Sequence, residues 1–304
     1  MYLCFLNKKN MKYVLTGSVG NISKPIAQTL IKAGHDVSVI SSSENKKKTI
    51  EALGAKPLIG SIEDISFLAD SFKAADAVYL MIPPKWDVTN WLEYQKMVAN
   101  NYTKAVRLSS VKNLVVLSSV GAHMGTGAGP VDGLAYLESV INELKDINAV
   151  YLRPSYFYYN LFSMVPLIKN AKIMGSNQPA DHKLWLTHTD DIAAIASEKL
   201  LQLNFKGKEY INIASDQRTW TEITAALTRS VGLQNIPWVE FTDKQSLDGM
   251  LQAGLPQTIA NGYVAMGAAL RSGEMEADIN INPPTRLGKI KLEDFTNEFA
   301  AKYN

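Results

Sequence analysis

Two glycines spaced three residues apart, Gly17 and Gly20, lie between a short apolar run at 13–15 and a stretch of helical periodicity at 22–31. In a strand–turn–helix unit, the first glycine permits a tight turn and the second permits close approach to a pyrophosphate. The helix N-terminus then binds the phosphate charge. Ser23 takes the place of a third glycine and is small enough to let the helix lie close to the strand. The segment predicts dinucleotide binding, with a purely structural βα turn as the alternative.

Ser118 ends a predicted strand at 114–118, at the sheet edge where a nicotinamide would lie. In short-chain dehydrogenases a serine here polarises a carbonyl, and a Tyr-x-x-x-Lys pair on the next helix supplies the proton. This chain has Tyr136 on that helix but Val140 four residues later. A tyrosine whose pKa lies near about 10 is a poor proton donor-acceptor at neutral pH. We therefore expect Tyr136 to be a packing residue, and Ser118 to be either catalytic or a strand-end hydrogen bonder.

Two histidines could contact a substrate. His123 follows the fifth predicted strand, so we expect it to project from the loop at the site. His188 precedes a helix that Thr189 or Asp190 could cap, and is expected to be structural. His123 is therefore the candidate for substrate contact. No set of His, Asp and Glu has metal-ligand spacing, and no Ser-His-Asp order lies in a nucleophile-elbow context, so no metal site is expected.

An aromatic-rich segment follows the sixth predicted strand. It begins with Tyr156 and is predicted to be helical up to Pro166. One interpretation is a core helix, and the other is a flat apolar wall for a planar substrate. Tyr156 is the residue of this segment that we expect nearest to the nicotinamide.

The end of the second predicted strand indicates the choice of cofactor. An acidic residue there binds the adenosine ribose of NAD, and an arginine accommodates the 2′-phosphate of NADP. This chain has neither, but three serines at 41–43 with Lys46 and Lys47 close behind. Hydroxyls and lysines suit a phosphate, so NADP (as NADPH) is expected in preference to NAD.

Predicted strands and helices alternate along the first half of the chain. The strands are expected at 13–15, 37–40, 56–59, 77–82, 114–118 and 149–152. A helix at 61–72 is expected to have Ser61 as its N-cap. This order requires a parallel sheet with right-handed crossovers. The predicted fold is α/β, a doubly wound parallel sheet of the NAD(P)-binding Rossmann type with a smaller, mostly helical C-terminal substrate domain.

The length of 304 residues suggests one large domain with an appendage. We expect an N-terminal extension at 1–10, a Rossmann domain at 11–153 and a substrate or cap region at 154–304. Strands within about 184–215 are expected to return to the Rossmann domain.

The composition excludes several classes of protein. A net charge of +2 indicates neither a nucleic-acid nor a membrane partner, and no apolar run approaches the length of a membrane span. The single cysteine, Cys4, permits no disulfide within the chain and fits a reducing compartment. Residues 1–10 lack the pattern of a signal peptide. The expected location is cytoplasmic.

Four runs together resemble the NmrA-like branch of atypical short-chain dehydrogenases: VLTGSVGNI, LVVLSSVGA, YLESVINELKDINAVYLRPSYFYYNL and THTDDIAAIA. The members that look most similar are NAD(P)H-dependent quinone oxidoreductases and azoreductase-like proteins. The resemblance implies a structural role for Asp191 and matches Glu138 to a helix glutamate of the family. It also implies cofactor contacts at these positions: Gly17, Ser18, Gly20, Asn21, Ile22, Ser41, Ser42, Ile82, Pro83, Ser118 and Tyr156.

Two departures from the family affect catalysis more than fold. Many members have a basic residue after the second strand, where this chain has serine, and a lysine where this chain has Leu134. The first hypothesis is an oxidoreductase that passes a hydride from NADPH to a quinone-like or other flat small acceptor, which could take its proton from water. The second is a catalytically silent NAD(P)-sensing protein with a regulatory partner. A sugar-nucleotide epimerase is disfavoured because the Tyr-Lys pair is missing. A homodimer is compatible with each.

Overall fold

The computed structural model describes residues 10–304, and the expected extension at 1–10 therefore lies outside the described residues except for its last member. Strands and helices alternate in the first half of the chain. They are β1 (Lys12–Leu15), α1 (Ser23–Lys32), β2 (Asp36–Ser41), α2 (Lys47–Ala52), β3 (Lys56–Ile59), α3 (Ile65–Phe72), β4 (Ala77–Leu80), α4 (Trp91–Leu108), β5 (Asn113–Leu117), α5 (Asp132–Asn142) and β6 (Asn148–Pro154).

The second half contains more helices and shorter strands. They are β7 (Tyr156–Phe157), α6 (Val165–Ala171), β8 (Met174–Ser176), β9 (Lys183–Thr187), α7 (Thr189–Gln202), β10 (Lys208–Ile213), β11 (Asp216–Thr219), α8 (Trp220–Ser230), β12 (Trp238–Glu240), α9 (Asp243–Gln252), α10 (Gln257–Arg271), α11 (Ala277–Ile281) and α12 (Leu292–Tyr303). Short 3₁₀ helices occur at Glu44–Lys46, Ala122–Met124, Gly129–Val131 and Tyr158–Met164.

Seven parallel strands form the central sheet in the order β3-β2-β1-β4-β5-β6-β10. This order confirms the doubly wound α/β fold, in which ligands bind at the carboxyl edge where the strand order reverses. α1 and α7 pack on one face and α3, α4 and α5 on the other, each over its own apolar layer. All four residues of β4 are fully buried, as a central parallel strand requires.

The C-terminal half has a separate apolar core built around Trp220, Leu227, Phe295 and Phe299. Two small sheets accompany its helices: β11-β9-β7 and β12-β8. Within the 184–215 segment, β10 pairs with β6 in the large sheet, whereas β9 pairs with β7 and β11. Across residues 10–304, no helix is both long and apolar enough to cross a membrane.

The start of α3 differs from the prediction. Ser61 was the expected N-cap, but the helix begins at Ile65 and its cap is Asp64, whose carboxylate accepts hydrogen bonds from the backbone N–H groups of Ser66 and Phe67. Ser61 instead accepts from the backbone of Glu63 in the preceding turn. A carboxylate is a strong acceptor at a helix N-terminus, so Asp64 displaces the hydroxyl three residues earlier.

The aromatic segment also differs from the prediction of a helix that ends at Pro166. It contains the short strand β7, then a 3₁₀ helix, and Pro166 stands in the first turn of α6. Proline is tolerated there because the first N–H groups of a helix have no intrahelical acceptor. Tyr156 and Phe157 become extended because they pair with Leu186 and Thr187 of β9.

Candidate functional site

The loop after β1 has the backbone that the glycine spacing predicts. Gly17 has φ +87°, and a Cβ there would lie 2.6 Å from Ser23 Oγ and 2.7 Å from Met81 Sδ. Ser18, the next residue, also has a left-handed backbone with φ +55°. The N–H of Gly20 donates to the carbonyl of Gly17 at 3.2 Å and closes the turn. Only glycine fits at position 17, because both the conformation and the space exclude a side chain.

Ser23 does more than a third glycine would. Its hydroxyl is buried and donates to the carbonyl of Thr16 at 2.8 Å, which fixes α1 to the end of β1. The Thr16 hydroxyl in turn accepts from the N–H of Met81 at 2.8 Å. The ends of β1 and β4 and the start of α1 are therefore held together at the carboxyl edge of the sheet.

The N-terminus of α1 can accept a phosphate. No side chain among residues 10–304 caps this helix, and its first N–H, that of Ser23, has no acceptor among those residues and can face an anion. The Lys24 N–H donates to the Gly20 carbonyl at 3.0 Å, and Pro25 has no N–H. Gly20 and Asn21 are exposed at the loop surface, while Ile22 is buried in the core beneath it. A cavity of about 610 Å³ is bordered by Gly20, Asn21 and the exposed Lys24 on one side and by α7 and α12 on the other. Gly20, Asn21 and Lys24 fit the pyrophosphate of a dinucleotide, whereas the opposite side carries the carboxylates of Asp190 and Glu298.

The serines after β2 have separate roles. Ser41 is buried, and its Oγ accepts from Ser18 Oγ at 3.0 Å and from the backbone N–H of Ser43 at 3.3 Å. Its hydroxyl therefore joins the phosphate loop to the end of β2. Ser42 is exposed beside it. Lys46 and Lys47 are exposed in the following turn, where Lys47 lies 3.7 Å from Glu44.

The segment after β4 lies against the phosphate loop. Ile82 is buried and Pro83 is half-buried. The Tyr102 hydroxyl on α4 donates to the carbonyl of Met81 at 2.7 Å. This bond fixes the end of β4 just before Ile82 and Pro83, the residues expected to border a nicotinamide.

Ser118 belongs to a buried polar network. Its hydroxyl donates to Glu138 Oε1 at 2.5 Å, and Arg153 donates to both oxygens of the same carboxylate. Arg153 also contacts Asp278 at 3.3 Å and lies over the ring of Tyr210, with its Cζ 4.3 Å from the ring centroid. Ser118 thus links β5 to α5 and β6. Its hydroxyl hydrogen is used in the bond to Glu138.

The two histidines both contact the C-terminal half. His123 is exposed, and its Nε2 hydrogen-bonds the carbonyl of Glu274 at 3.1 Å. His188, rather than the expected Thr189 or Asp190, caps α7, since its Nδ1 accepts from the Asp190 N–H at 3.1 Å. His188 Nε2 lies 3.0 Å from Glu298 Oε1 on α12.

The role of Asp191 is visible in its partners. The buried carboxylate accepts from the Ser215 hydroxyl at 2.7 Å and from the backbone N–H groups of Lys289 and Ile290 at 2.9 and 3.1 Å. It therefore ties the segment before α12 to α7, and this is a structural function.

Tyr156 follows the carboxyl end of β6 by two residues. It is half-buried, and its ring packs edge-on against Trp220 with centroids 5.8 Å apart. Burial, and to a smaller extent the neighbouring Tyr263, raises the pKa of the Tyr156 hydroxyl well above its usual value. The hydroxyl stays protonated at neutral pH and can donate a hydrogen bond.

The rest of the aromatic run divides between core and surface. Tyr158 and Phe162 pack against Phe295 of α12, with ring centroids 5.1 and 5.2 Å apart. Tyr159 is 55% exposed and lines the cavity beside the phosphate loop. Tyr158 and Phe162 therefore belong to the core, as the first interpretation predicts, whereas Tyr159 presents an aromatic ring at the surface.

Three aromatic residues that sequence reasoning missed border the same edge: Trp86, Trp91 and Tyr263. The centroids of Trp86 and Trp91 are 5.1 Å apart, and those of Trp91 and Tyr263 are 6.2 Å apart. Trp86 and Trp91 come soon after β4 and the prolines that follow it, and this position could have marked them as residues of the site. Tyr263 on α10 offered none, because its position depends on long-range packing.

Known reductases and dehydrogenases are similar to this chain in structure or in sequence. An NADPH-dependent quinone oxidoreductase from Escherichia coli superimposes with a TM-score of 0.77 at 17% identity, over 94% of this chain and 98% of that one. Citrobacter sp. triphenylmethane reductase complexed with NADP(H) gives a TM-score of 0.77 at 17% identity, over 94% and 99%. Agroclavine dehydrogenase from Claviceps fusiformis is 22% identical over 280 residues, 88% of this chain and 89% of that protein. Residues 9–244 match the NmrA-like family, and the protein therefore belongs to it.

Proposed function

We propose that this protein is an NAD(P)-dependent oxidoreductase that transfers a hydride from NADPH to a quinone-like or other flat small acceptor. One observation carries the proposal: the uncapped start of α1, the ends of β2 and β4, and Tyr156 all meet at the carboxyl edge of the sheet. A phosphate site and an aromatic wall at one edge suit a dinucleotide and a planar acceptor. The similar structures named above as quinone oxidoreductase and triphenylmethane reductase support the reaction class.

The chain's residues act mainly by positioning. The loop at Gly17, Ser18, Gly20 and Asn21 holds the pyrophosphate, and Ile82 and Pro83 border the nicotinamide. NADPH supplies the hydride. The protonated Tyr156 hydroxyl donates to an oxygen of the acceptor, and the acceptor takes its proton from water. Holding hydride donor and acceptor in contact accounts for most of the rate in such a site.

We propose NADPH rather than NADH as the physiological donor. Ser42 and Lys46 are exposed where an adenosine 2′-phosphate would lie, and the Ser41 hydroxyl shapes the loop from below. No carboxylate stands at the tip of β2 to bind a free ribose hydroxyl. Lys46→Ala should weaken NADPH binding, measured by calorimetry, by about fivefold and leave NADH binding unchanged.

The central test combines cofactor binding with turnover. Among residues 10–304, a Cβ on Gly20 would come near the Gly17 carbonyl oxygen alone, at 3.2 Å, a tight contact that needs a shift of a few tenths of an ångström. Gly20→Asp places a carboxylate against the pyrophosphate and should abolish NADPH binding and quinone-dependent oxidation of NADPH. Gly249→Asp is the matched control because Gly249 is exposed on α9, and no atom in the described part of the chain lies within 4 Å of its Cβ position. Failure of the wild type to bind either cofactor would overturn the proposal.

One observation favours the alternative of a silent NAD(P) sensor. The Ser118 proton is committed to Glu138, and His123 is engaged by a backbone carbonyl, so two of three candidate catalytic residues have structural partners. In that case cofactor binding would alter a surface for a regulatory protein. Tight cofactor binding without turnover of any quinone would favour the sensor over the oxidoreductase.

A further inference from the structure

Three aromatic side chains on neighbouring segments contact one another beside the loops after β4 and β5. Tyr263 lies on α10, which packs against the loop after β5 at Gly129. Tyr263 contacts Trp91, and Trp91 contacts Trp86, with interplanar angles of 44° in both pairs. The loop after β4, the start of α4 and the middle of α10 thus contribute to one aromatic surface, which we call the outer aromatic surface (Trp86, Trp91 and Tyr263).

The scaffold holds this surface in place. The Thr258 hydroxyl at the start of α10 donates to the carbonyl of Thr89 at 3.1 Å, which joins α10 to the loop after β4. Gly262, the neighbour of Tyr263, lies so close to Gly129 that a Cβ on Gly129 would collide with the Gly262 carbonyl. Only glycine at position 129 allows α10 to lie this close to the loop after β5.

The indole N–H of Trp91 is the unusual group in this surface. Trp91 Nε1 is buried and has no hydrogen-bond partner among residues 10–304. The indole N–H groups of Trp185, Trp220 and Trp238 all donate at 2.9 Å, to Asn280, Gln178 and the Gln178 backbone. Because a buried tryptophan N–H normally has an acceptor, the exception points to an acceptor supplied by a ligand.

Trp86 provides the apolar contact. It is 51% exposed, although a tryptophan usually buries most of its ring. An aromatic ring laid on it would remove apolar area from water and add ring–ring contact. The surface therefore offers a flat apolar face at Trp86, and beside it the Trp91 N–H has no acceptor among residues 10–304. Both residues lie in the segment that follows β4 at the carboxyl edge of the sheet.

We propose that the outer aromatic surface selects acceptors with two fused rings, such as naphthoquinones, over acceptors with one ring. It binds the second ring, the one that is not reduced. Tyr156 and the nicotinamide hold the ring that is reduced. Trp86 stacks on the second ring, and Trp91 donates to a ring oxygen. This inference rests on the proposed hydride transfer and names the acceptor class of that site.

Steady-state kinetics with 1,4-naphthoquinone and 1,4-benzoquinone test the selection. Trp86→Ala should lower kcat/KM for naphthoquinone about fivefold and leave the value for benzoquinone within about twofold. Leu108→Ala is the control, since Leu108 is 68% exposed at the opposite end of α4. Equal losses for both quinones, or no loss for either, would overturn the subsite.

A binding assay separates this inference from the proposed function. Calorimetry with 1-naphthol and phenol, with and without NADP⁺, needs no turnover. Trp91→Phe keeps a ring but removes the N–H, and should weaken 1-naphthol binding about fivefold, whereas Trp86→Phe should leave it within about twofold. No naphthol binding, or binding that Trp86→Ala and Trp91→Phe leave unchanged, would overturn the subsite. Lack of quinone turnover alone would overturn only the hydride-transfer function.

Discussion

The Ser118 hydroxyl donates to Glu138 Oε1 at 2.5 Å, inside a network in which Arg153 binds both oxygens of that carboxylate. In a buried environment a charged pair needs every lone pair satisfied, and Ser118 satisfies one of them. Stability therefore accounts for a serine at the end of this strand, which is the strand-end hydrogen bonder of the two roles expected for Ser118.

Ser118→Ala should leave turnover nearly intact. The substitution removes one hydrogen bond to a carboxylate that Arg153 still holds, so we expect a loss of about 1 kcal/mol in the free energy of unfolding. Quinone-dependent NADPH oxidation should stay within about threefold of wild type. Ser119→Ala is the neighbouring control, because within residues 10–304 that hydroxyl donates to the backbone carbonyl of Val120 alone. A fall in kcat beyond about 30-fold with Ser118→Ala alone would show that the hydroxyl takes part in the reaction.

The central sheet and phosphate loop were predictable because their signals are local. Apolar runs at strand length, helical periodicity between them and the Gly17–Gly20 spacing all lie within short windows. Asp64 could have been recognised as a cap on the same grounds, because it directly precedes the first helical residue.

The aromatic half of the site was less predictable because distant contacts decide it. Tyr156 and Phe157 are extended since they pair with β9, and Phe162 takes its position from Phe295 and Phe299 of the last helix. Trp91 and Tyr263 come together only because α10 packs on the loops after β4 and β5. No local pattern contains that information.

Gly17→Ala should be much more destabilising than Gly34→Ala. The two glycines have almost the same φ, +87° and +86°, so both variants place a side chain in the left-handed region. A Cβ at position 34 meets no atom of residues 10–304 within 4 Å, whereas at position 17 it collides with Ser23 and Met81. We expect the free energy of unfolding, measured in urea, to fall about 2 kcal/mol further for Gly17→Ala. Equal losses would show that α1 and the end of β4 can move apart without penalty.

The acid sensitivity of the protein should depend on Asp278. Burial raises the pKa of this carboxyl, but hydrogen bonds from Asn212, Asn282 and Tyr210 and the charge of Arg153 outweigh burial and hold the pKa below its usual value. A pKa that is lower in the folded state gives stability that is present above the unfolded value of about 4 and is lost as the pH falls through the folded value.

Asp278→Asn should therefore be less stable than wild type at neutral pH, and the difference should narrow as the pH falls below about 4. Urea unfolding between about pH 3 and 7 measures this. Asp248→Asn is the control because its ion pair with Lys244, whose side chain is 82% exposed, lies at the surface. A difference between wild type and Asp278→Asn that does not change with pH would contradict the linkage.

Tyr156→Phe tests the one candidate catalytic residue that the structure leaves at the sheet edge with a proton to donate. Because the pKa of Tyr156 is raised, its hydroxyl stays protonated between about pH 6 and 9, and its contribution to rate should not vary across that range. We expect kcat for quinones to fall about tenfold, since a hydrogen bond to developing negative charge is lost. NADPH binding should stay within about twofold, because the ring itself remains against Trp220. A wild-type rate that falls on raising the pH through about 8, with Tyr156→Phe showing no such fall, would mean that Tyr156 ionises near neutrality and that its burial does not protect the proton.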